Sequence, residues 1–268
     1  MKVNNPGTSS KVGWIFFVAF CFALSSCTPK PPAHGTAYVI QIETNSIAAI
    51  DSSTEALNHT QRVLSKRLKA LGVRGFFEQL PESKLLIKVP NSYRTKPEAV
   101  RQAISTVGHL EFRMVHPEND ELVAAGIVDP GYELLRQPMK GADGSAMTVG
   151  YLVNKKPERG LTGKYITQAM VSRNALTDQP EILFEFNSAG AEIFHEVTTR
   201  YSPKAGKYYH LAIVLDGKLY SAPRIMGPIP GGRGMISGQF NVNEALALAN
   251  VLENPLDSPH RIIDEKSF

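Results

Sequence analysis

The chain has little cysteine, and what it has lies at one end. Two cysteines, Cys21 and Cys27, occur among 268 residues, and both precede the part of the sequence that shows regular hydrophobic patterning. If the first 26 residues are removed from the mature protein, as argued below, Cys27 is the one that is left. We therefore expect no disulfide bond, no free thiol and no cysteine-ligated metal in the folded part.

The sequence also lacks the spacings that mark common catalytic and metal sites. Seven histidines are scattered without a His-x-x-x-His pair, and no Gly-x-Ser-x-Gly elbow is present. Glu181 and Glu185 are predicted to share the solvated face of a strand rather than to form an acid–base pair. His109 and His210 are predicted to be ordinary edge or surface residues. We expect no catalytic, cofactor-binding or metal-binding residue, and we expect that the protein is not an enzyme.

A strong excess of charge of one sign is missing too. The chain has 29 basic and 25 acidic residues, a net charge of +4, and two of the basic residues fall in the N-terminal segment. No basic stripe is interleaved with aromatic residues, so nucleic-acid binding is not expected. Apart from residues 12–24, no stretch approaches the roughly 18 apolar residues of a membrane-spanning helix.

Residues 1–26 are predicted to be a signal peptide. Two lysines precede an uncharged apolar run over residues 12–24, which as a helix would reach only ~20 Å, short of the ~30 Å hydrocarbon core. The run ends in Leu24-Ser-Ser-Cys27, which resembles the bacterial lipobox, whose cysteine is acylated and becomes the first mature residue. Cys27 is thus the expected lipidation site, and residues 27–35 form a Pro-rich tether. An ordinary secretory signal with a chance cysteine is the alternative.

Two subdomains of an α+β fold are predicted after the tether. Residues 36–116 show strand and helix periodicities in the order β-α-β-β-α-β, which predicts a ferredoxin-like unit. In its last strand Leu110, Phe112 and Met114 alternate with Glu111 and Arg113, so one face of that strand is expected to be exposed.

Residues 117–255 are predicted to form the second subdomain. Residues 132–137 and 147–154 could pair across a Gly-rich turn, and residues 181–186 alternate as a strand. Asn187 or Ser188 is expected to cap the next helix, and Asn243 the last one. Residues 256–268 are predicted to be a loose tail.

Residues 211–240 contain the most specific pattern. An apolar strand leads to Asp216-Gly217, a two-residue primed turn, and Pro223 is expected at a strand end or sheet edge. Glycines then lead into a strand-like segment and not into a helix, so they indicate a turn or bulge rather than a phosphate loop. The residues singled out as structural are Asp216, Gly217, Pro223, Gly231, Gly232, Gly238 and Phe240.

The order of these residues resembles the first large periplasmic domain of the SecD family, an auxiliary part of the Sec export machinery. Further similar features are Arg67-Leu68, Leu71-Gly72-Val73 and Leu110-Glu111-Phe112-Arg113. The resemblance implies that the first subdomain corresponds to the family's base and the second to its head. It implies a non-enzymatic activity, namely binding unfolded preprotein or Sec translocon membrane subunits.

The sequence also departs from that family. A lipobox stands where the family has its first spanning helix, and the proton-driven membrane portion is absent from the 268 residues. We expect a protein held by lipid on the periplasmic side of the bacterial envelope, and Thr28 after the cysteine favours the outer membrane over the inner one. An envelope lipoprotein that binds another protein or the cell wall is the alternative, and an enzyme with an unrecognised site is the third possibility.

Overall fold

The computed structural model describes residues 33–43, 50–91, 96–140, 145–238 and 241–268. The predicted signal peptide, Cys27 and most of the tether lie outside these residues, as does Phe240. Helices and antiparallel strands both contribute to the fold, which confirms the predicted α+β class. None of the described helices combines the length and the apolar character that a membrane crossing requires.

The elements of the described residues follow one another as twelve strands and five α-helices. The strands are β1 (Gly35–Ile42), β2 (Phe76–Leu80), β3 (Lys84–Pro90), β4 (Leu110–Met114), β5 (Tyr132–Lys140), β6 (Ala146–Asn154), β7 (Ile166–Arg173), β8 (Pro180–Phe186), β9 (Leu211–Leu215), β10 (Lys218–Ser221), β11 (Arg233–Ser237) and β12 (His260–Ser267). The helices are α1 (Ile50–Ala70), α2 (Pro97–Ser105), α3 (Asn119–Ala125), α4 (Ser188–Arg200) and α5 (Val242–Glu253).

Four strands and two helices make up the base lobe, which consists of β1 to α2 together with β12. Its sheet has the order β12-β1-β3-β2, and each neighbouring pair is antiparallel. Alternate residues of the two central strands point to one face, as the period of two along a strand requires. They form a core with the apolar face of α1 and with α2, and its fully buried members are Tyr38, Ile40, Ile42, Leu64, Leu68, Leu85, Ile87 and Ile104.

The fourth strand of the base lobe is not the predicted one. β4 leaves this sheet and pairs with β9, whereas residues 260–267, expected to be part of a loose tail, form β12 and pair along β1. The first subdomain therefore does not end with a strand at 110–116, and the chain after residue 255 is not a tail. β12 escaped prediction because an edge strand tolerates many charged residues, and Ile262 is its one isoleucine that packs on the core.

The head lobe comprises residues 110–253 and is inserted into the base lobe. Two three-stranded sheets, β10-β9-β4 and β11-β8-β7, enclose its core together with α4 and α5. Asn187 caps α4 through its side chain, as predicted, but α5 is capped by Asn241 and not by Asn243. Four phenylalanine rings meet in the centre, and they are Phe112, Phe184, Phe186 and Phe194. Their centroids lie 5.1 to 6.4 Å apart and their planes are inclined by 50° to 71°, which are the tilted and edge-to-face arrangements that aromatic rings prefer.

β4 is buried on both faces, so the exposed face that its alternation predicts is wrong. Glu111 and Arg113 are ion-paired with each other, and Arg113 also pairs with Glu133 of β5 at 2.5 Å. The hairpin β5–β6 covers the face of β4 that carries Glu111 and Arg113. Its pairing of residues 132–140 with 146–154 confirms the predicted hairpin and extends it.

Both chain crossings between the lobes converge on one buried side chain, the guanidinium of Arg67 near the end of α1. It donates hydrogen bonds to the carbonyl oxygens of Ala103 in α2, of Thr106 and Val107 in the first crossing, between α2 and β4, and of Asn254 in the second crossing, between α5 and β12. Burial lowers the pKa of Arg67 to about 10, and the nearby carboxylate of Asp216 acts in the opposite direction. The group therefore stays charged at neutral pH and joins the lobes through backbone acceptors.

The carboxylate of Asp216 holds the first crossing from the head side. Its oxygens accept the backbone N–H groups of Val107, Gly108 and His109 at 2.8 to 3.2 Å. Gly108 has φ of +92°, and a Cβ there would lie 2.9 Å from Val251. A residue with a side chain would therefore be strained at this point, so the crossing needs glycine.

The role of β12 can be tested with two adjacent isoleucines. Ile262 faces Ile40 and packs on the base core, whereas Ile263 is 43% exposed. We expect Ile262→Ala to lower the free energy of unfolding in urea by about 1–3 kcal/mol, because buried methyl groups are lost. Ile263→Ala, the matched control, should change it by less than about 0.5 kcal/mol. If both changes have equally small effects, β12 does not contribute to the base core, and the prediction of a loose tail after residue 255 would hold.

We expect His260 to make the free energy of unfolding depend on pH. Its Nε2–H donates to the carbonyl of Ile104, and burial lowers its pKa, with the charge of Arg67 acting in the same direction. The hydrogen bond to Ile104, the backbone of Ser258 and the charge of Asp216 oppose this change without reversing it. The folded protein thus binds this proton less readily than the unfolded chain does.

We expect the stabilisation by neutral His260 to be complete above the ordinary histidine pKa of 6.5 and to be lost as the pH falls through the lower folded pKa. His260→Gln keeps an amide donor for Ile104 and cannot take up a proton. Its free energy of unfolding, measured in urea from pH 8 to pH 5, should fall less steeply than that of the unmodified protein. Parallel profiles would contradict the assignment.

Candidate functional site

An apolar groove with a cavity volume of about 720 Å³ opens on the head lobe. Its floor consists of phenylalanine rings and of β9, one wall is the segment 223–229, and the other is β11. This volume lies in the range of ligand-binding clefts. The groove therefore offers a largely apolar surface to a partner molecule.

The floor and the β11 wall fit together because Gly234 has no side chain. A Cβ at this position would lie 2.2 Å from the ring of Phe184. The backbone of β11 can therefore lie flat against the aromatic floor. On either side of Gly234, Arg233 and Met235 are exposed at the rim.

Hydrogen bonds hold both ends of the opposite wall. Ile225 N–H donates to the carbonyl of Tyr209 at 2.9 Å, and Ile229 N–H donates to the hydroxyl of Thr198 at 2.9 Å. Between these two points Met226 extends into solvent with 71% of its surface exposed. The wall is thus fixed in position but carries a flexible, polarizable side chain at its tip.

β11 is also an edge strand, since it pairs with β8 on one side and ends its sheet on the other. An extended chain can add to such an edge through main-chain hydrogen bonds, while its apolar side chains enter a neighbouring groove. The site therefore combines an edge strand with an apolar groove. This arrangement suits recognition of an extended polypeptide.

The predicted structural residues are distributed over three places. Asp216 and Gly217 form the primed turn, with φ of 48° and 75°, at the junction of the lobes and not in the groove. Pro223 lines the groove. Gly232 has φ of +63° and packs on Ala191, while Gly231 meets open space. Gly238 follows β11 directly.

The titratable residues that the sequence singled out do not come together. Glu181 is buried and accepts a hydrogen bond from Asn174 at 3.2 Å, so its predicted solvated position is wrong. Glu185 lies 3.5 Å from Arg233. His210 binds the carbonyl of Ala222 through Nδ1. In the described part of the chain no group of three or more His, Cys, Asp or Glu could hold a metal ion.

The groove itself was missed by the sequence analysis. A signal was available, because the stretch from Pro223 to Pro230 contains three prolines, Met226 and a single charge. Such a segment between two strands is too apolar for an ordinary surface loop. Its apolar residues line a groove instead of a closed core.

Comparisons with known proteins agree with this geometry. The family model for the P1 head subdomain of SecDF matches residues 136–256. The protein translocase subunits SecD of Rickettsia bellii and Rickettsia prowazekii are 38% and 35% identical over 186 residues, which is 69% of this chain and 33% of each relative. SecD of Calditerrivibrio nitroreducens is 28% identical over 219 residues, 80% of this chain and 41% of the relative. The chain spans about a third to two fifths of the length of these curated relatives.

Two solved structures share the fold. A crystal structure of SecDF in a super-membrane-facing form has a TM-score of 0.63 at 23% identity and covers 87% of this chain and 30% of that one. A second structure, of a membrane component SecDF that enhances protein export, has a TM-score of 0.59 at 24% identity and covers 85% of this chain and 98% of that one. Sequence and fold therefore agree, and the chain belongs to the SecD family.

Proposed function

We propose that this protein assists Sec-dependent protein export by holding unfolded polypeptide in the groove of the head lobe. The observation that supports this most is the position of an apolar groove beside the edge strand β11. Main-chain hydrogen bonds do not depend on sequence, and apolar contacts tolerate many side chains. Both properties suit a binder of many different clients.

The exposed methionines of the groove support the same role. Met226 and Met235 lie on opposite walls and are 71% and 44% exposed. Methionine is unbranched and polarizable, so it adapts to differently shaped partners. A surface of this kind suits a binder of polypeptides with different sequences.

The proposed location is the periplasmic side of the bacterial envelope, with a lipid anchor on Cys27 and Sec translocon subunits as neighbours. The family's periplasmic domain supports the location, and the lipobox-like Leu24-Ser-Ser-Cys27 supports the anchor. Two or more acyl chains give stable membrane attachment. The proposal concerns the step in which polypeptide is held and does not include proton-driven movement.

Charge placed on the groove should weaken polypeptide binding. We expect the double change Met226→Glu and Met235→Glu to reduce the affinity for a fluorescently labelled, reduced and unfolded test protein at least tenfold, measured by anisotropy. The carboxylates would lose hydration if an apolar segment covered them. Because both methionines are exposed, the fold should tolerate the change.

The matched control changes an exposed apolar residue elsewhere in the head lobe. Leu176→Glu alters a side chain that is 95% exposed between β7 and β8, outside the groove. It should bind the test protein like the unmodified chain. If the control and the double variant bind alike, or if the unmodified protein does not bind, the groove is not the polypeptide site.

The anchor can be tested with the two cysteines of the chain. In cells fed a labelled fatty acid, we expect label on the unmodified protein and on Cys21→Ala, and none on Cys27→Ala, because acylation needs the thiol at the lipobox position. Mass spectrometry should find an acylated Cys27 as the first mature residue. An unlabelled mature N-terminus at another position would rule the anchor out.

A further inference from the structure

We infer that the groove prefers apolar segments flanked by acidic residues and disfavours segments flanked by basic ones. This inference rests on the proposed function and specifies the class of polypeptide that the groove takes. It follows from the charges at the groove, which are of one sign.

The charged residues among those that line the groove are both arginines. Arg224 lies on the wall formed by residues 223–229 and Arg233 on β11, so each wall of the groove contributes one arginine. No carboxylate lines the groove among the described residues. The hydroxyl of Thr198 already donates to the carbonyl of Phe194 and accepts the N–H of Ile229.

Neither arginine is strongly engaged within the protein. Arg224 is exposed and lies over the ring of Tyr208 at 5.6 Å, and it takes part in no ion pair with another described residue. Arg233 lies 3.5 Å from Glu185, but the two side chains are 78% and 40% exposed, so this pair is weak in water. Both guanidinium groups remain free to meet the carboxylates of a bound chain.

The surface beside the Arg224 wall adds positive charge. Residues 200–215 contain Arg200, Lys204 and Lys207 and no Asp or Glu. Lys207 lies over the ring of Tyr209, whose carbonyl accepts the N–H of Ile225 in the wall. Of the nearby carboxylates, Glu196 is paired with Arg159 at 2.6 Å and Glu158 accepts a hydrogen bond from Tyr201. The positive field therefore continues beyond one end of the groove.

An extended polypeptide with acidic flanks fits this arrangement. Its apolar side chains would enter the groove between the two walls, and Asp or Glu on either side would lie near the arginines at the rim. Lysine or arginine in the same places would be repelled. A consequence is that an export signal, whose positive residues precede its apolar run, should bind less well than acidic parts of the mature client.

Three peptides with one apolar core and different flanks test the inference. The flanks are two Glu, two Gln or two Lys on each side, and dissociation constants are measured by fluorescence anisotropy at low salt and at high salt. We expect the Glu peptide to bind about 3–10-fold more tightly than the Gln peptide, and the Lys peptide to bind more weakly than both. High salt should bring the three values together.

The double change Arg224→Gln and Arg233→Gln should remove most of the preference and leave the affinity for the Gln peptide within about twofold. The matched control is Arg173→Gln, which removes an exposed arginine of β7 that is paired with Asp178 away from the groove. It should keep the preference of the unmodified protein. Loss of preference in the control would contradict the assignment to the rim.

The outcomes separate this inference from the proposed function. If all three peptides bind the unmodified protein equally well, the charge preference is wrong and polypeptide binding stands. If none of them binds, the proposed function fails and the inference fails with it. Arginine-dependent binding to vesicles of phosphatidylcholine with phosphatidylglycerol, without binding of any peptide, would identify the occupant as an anionic lipid surface and overturn both.

Discussion

The buried guanidinium of Arg67 is the interaction on which the arrangement of the two lobes depends. An uncompensated charge inside a protein is very costly, so Arg67 is stable there only because carbonyl oxygens surround it. Those oxygens come from the end of α2 and from Asn254 after α5, where helix carbonyls lack partners within their own helices. The C-terminal ends of two helices also favour a positive charge. The Arg67 side chain thus provides hydrogen-bond donors for the carbonyl oxygens at the ends of α2 and α5, and it fixes where the chain passes from one lobe to the other.

Fixing both crossings allows the head lobe to be an insertion in the base lobe. The base sheet is complete only when β12 returns beside β1, so the path after α5 must end at the right place and direction. Asn250 donates to the carbonyl of Arg67 at 2.8 Å, and Leu256 N–H donates to the carbonyl of Val107 at 2.8 Å. The two crossings are therefore bonded to each other as well as to Arg67. This network explains why Asp216, in a turn of the head lobe, has a carboxylate directed at backbone N–H groups and not at a ligand.

Local periodicity was sufficient for elements whose burial follows their own pattern. The strands β1 and β3 and the Asp216-Gly217 turn were predicted because alternation and the preference for positive φ are encoded within a few residues. β4 shows where this reasoning stops. Its alternation of apolar and charged residues correctly predicted a strand, but the charged face is buried because Glu133 comes from a hairpin distant in sequence. β12 was not predicted for the opposite reason. Its sequence is mostly polar, and it forms a strand because the edge of β1 is available for pairing.

The apolar stretch from Pro223 to Pro230 marks one wall of the groove in the sequence, but the groove itself is a space between elements that are distant along the chain. Its floor needs the rings of Phe112, Phe184 and Phe194 from β4, β8 and α4, which no local pattern brings together. Its wall stays apart from β11 because Thr198 and Tyr209 anchor both ends, and a free apolar segment would otherwise collapse onto the floor. The network around Arg67 and Asp216 holds the two lobes, and the hydrogen bonds to Thr198 and Tyr209 hold the wall of the groove. Both keep a rigid frame around a surface that carries the exposed side chains of Met226 and Met235.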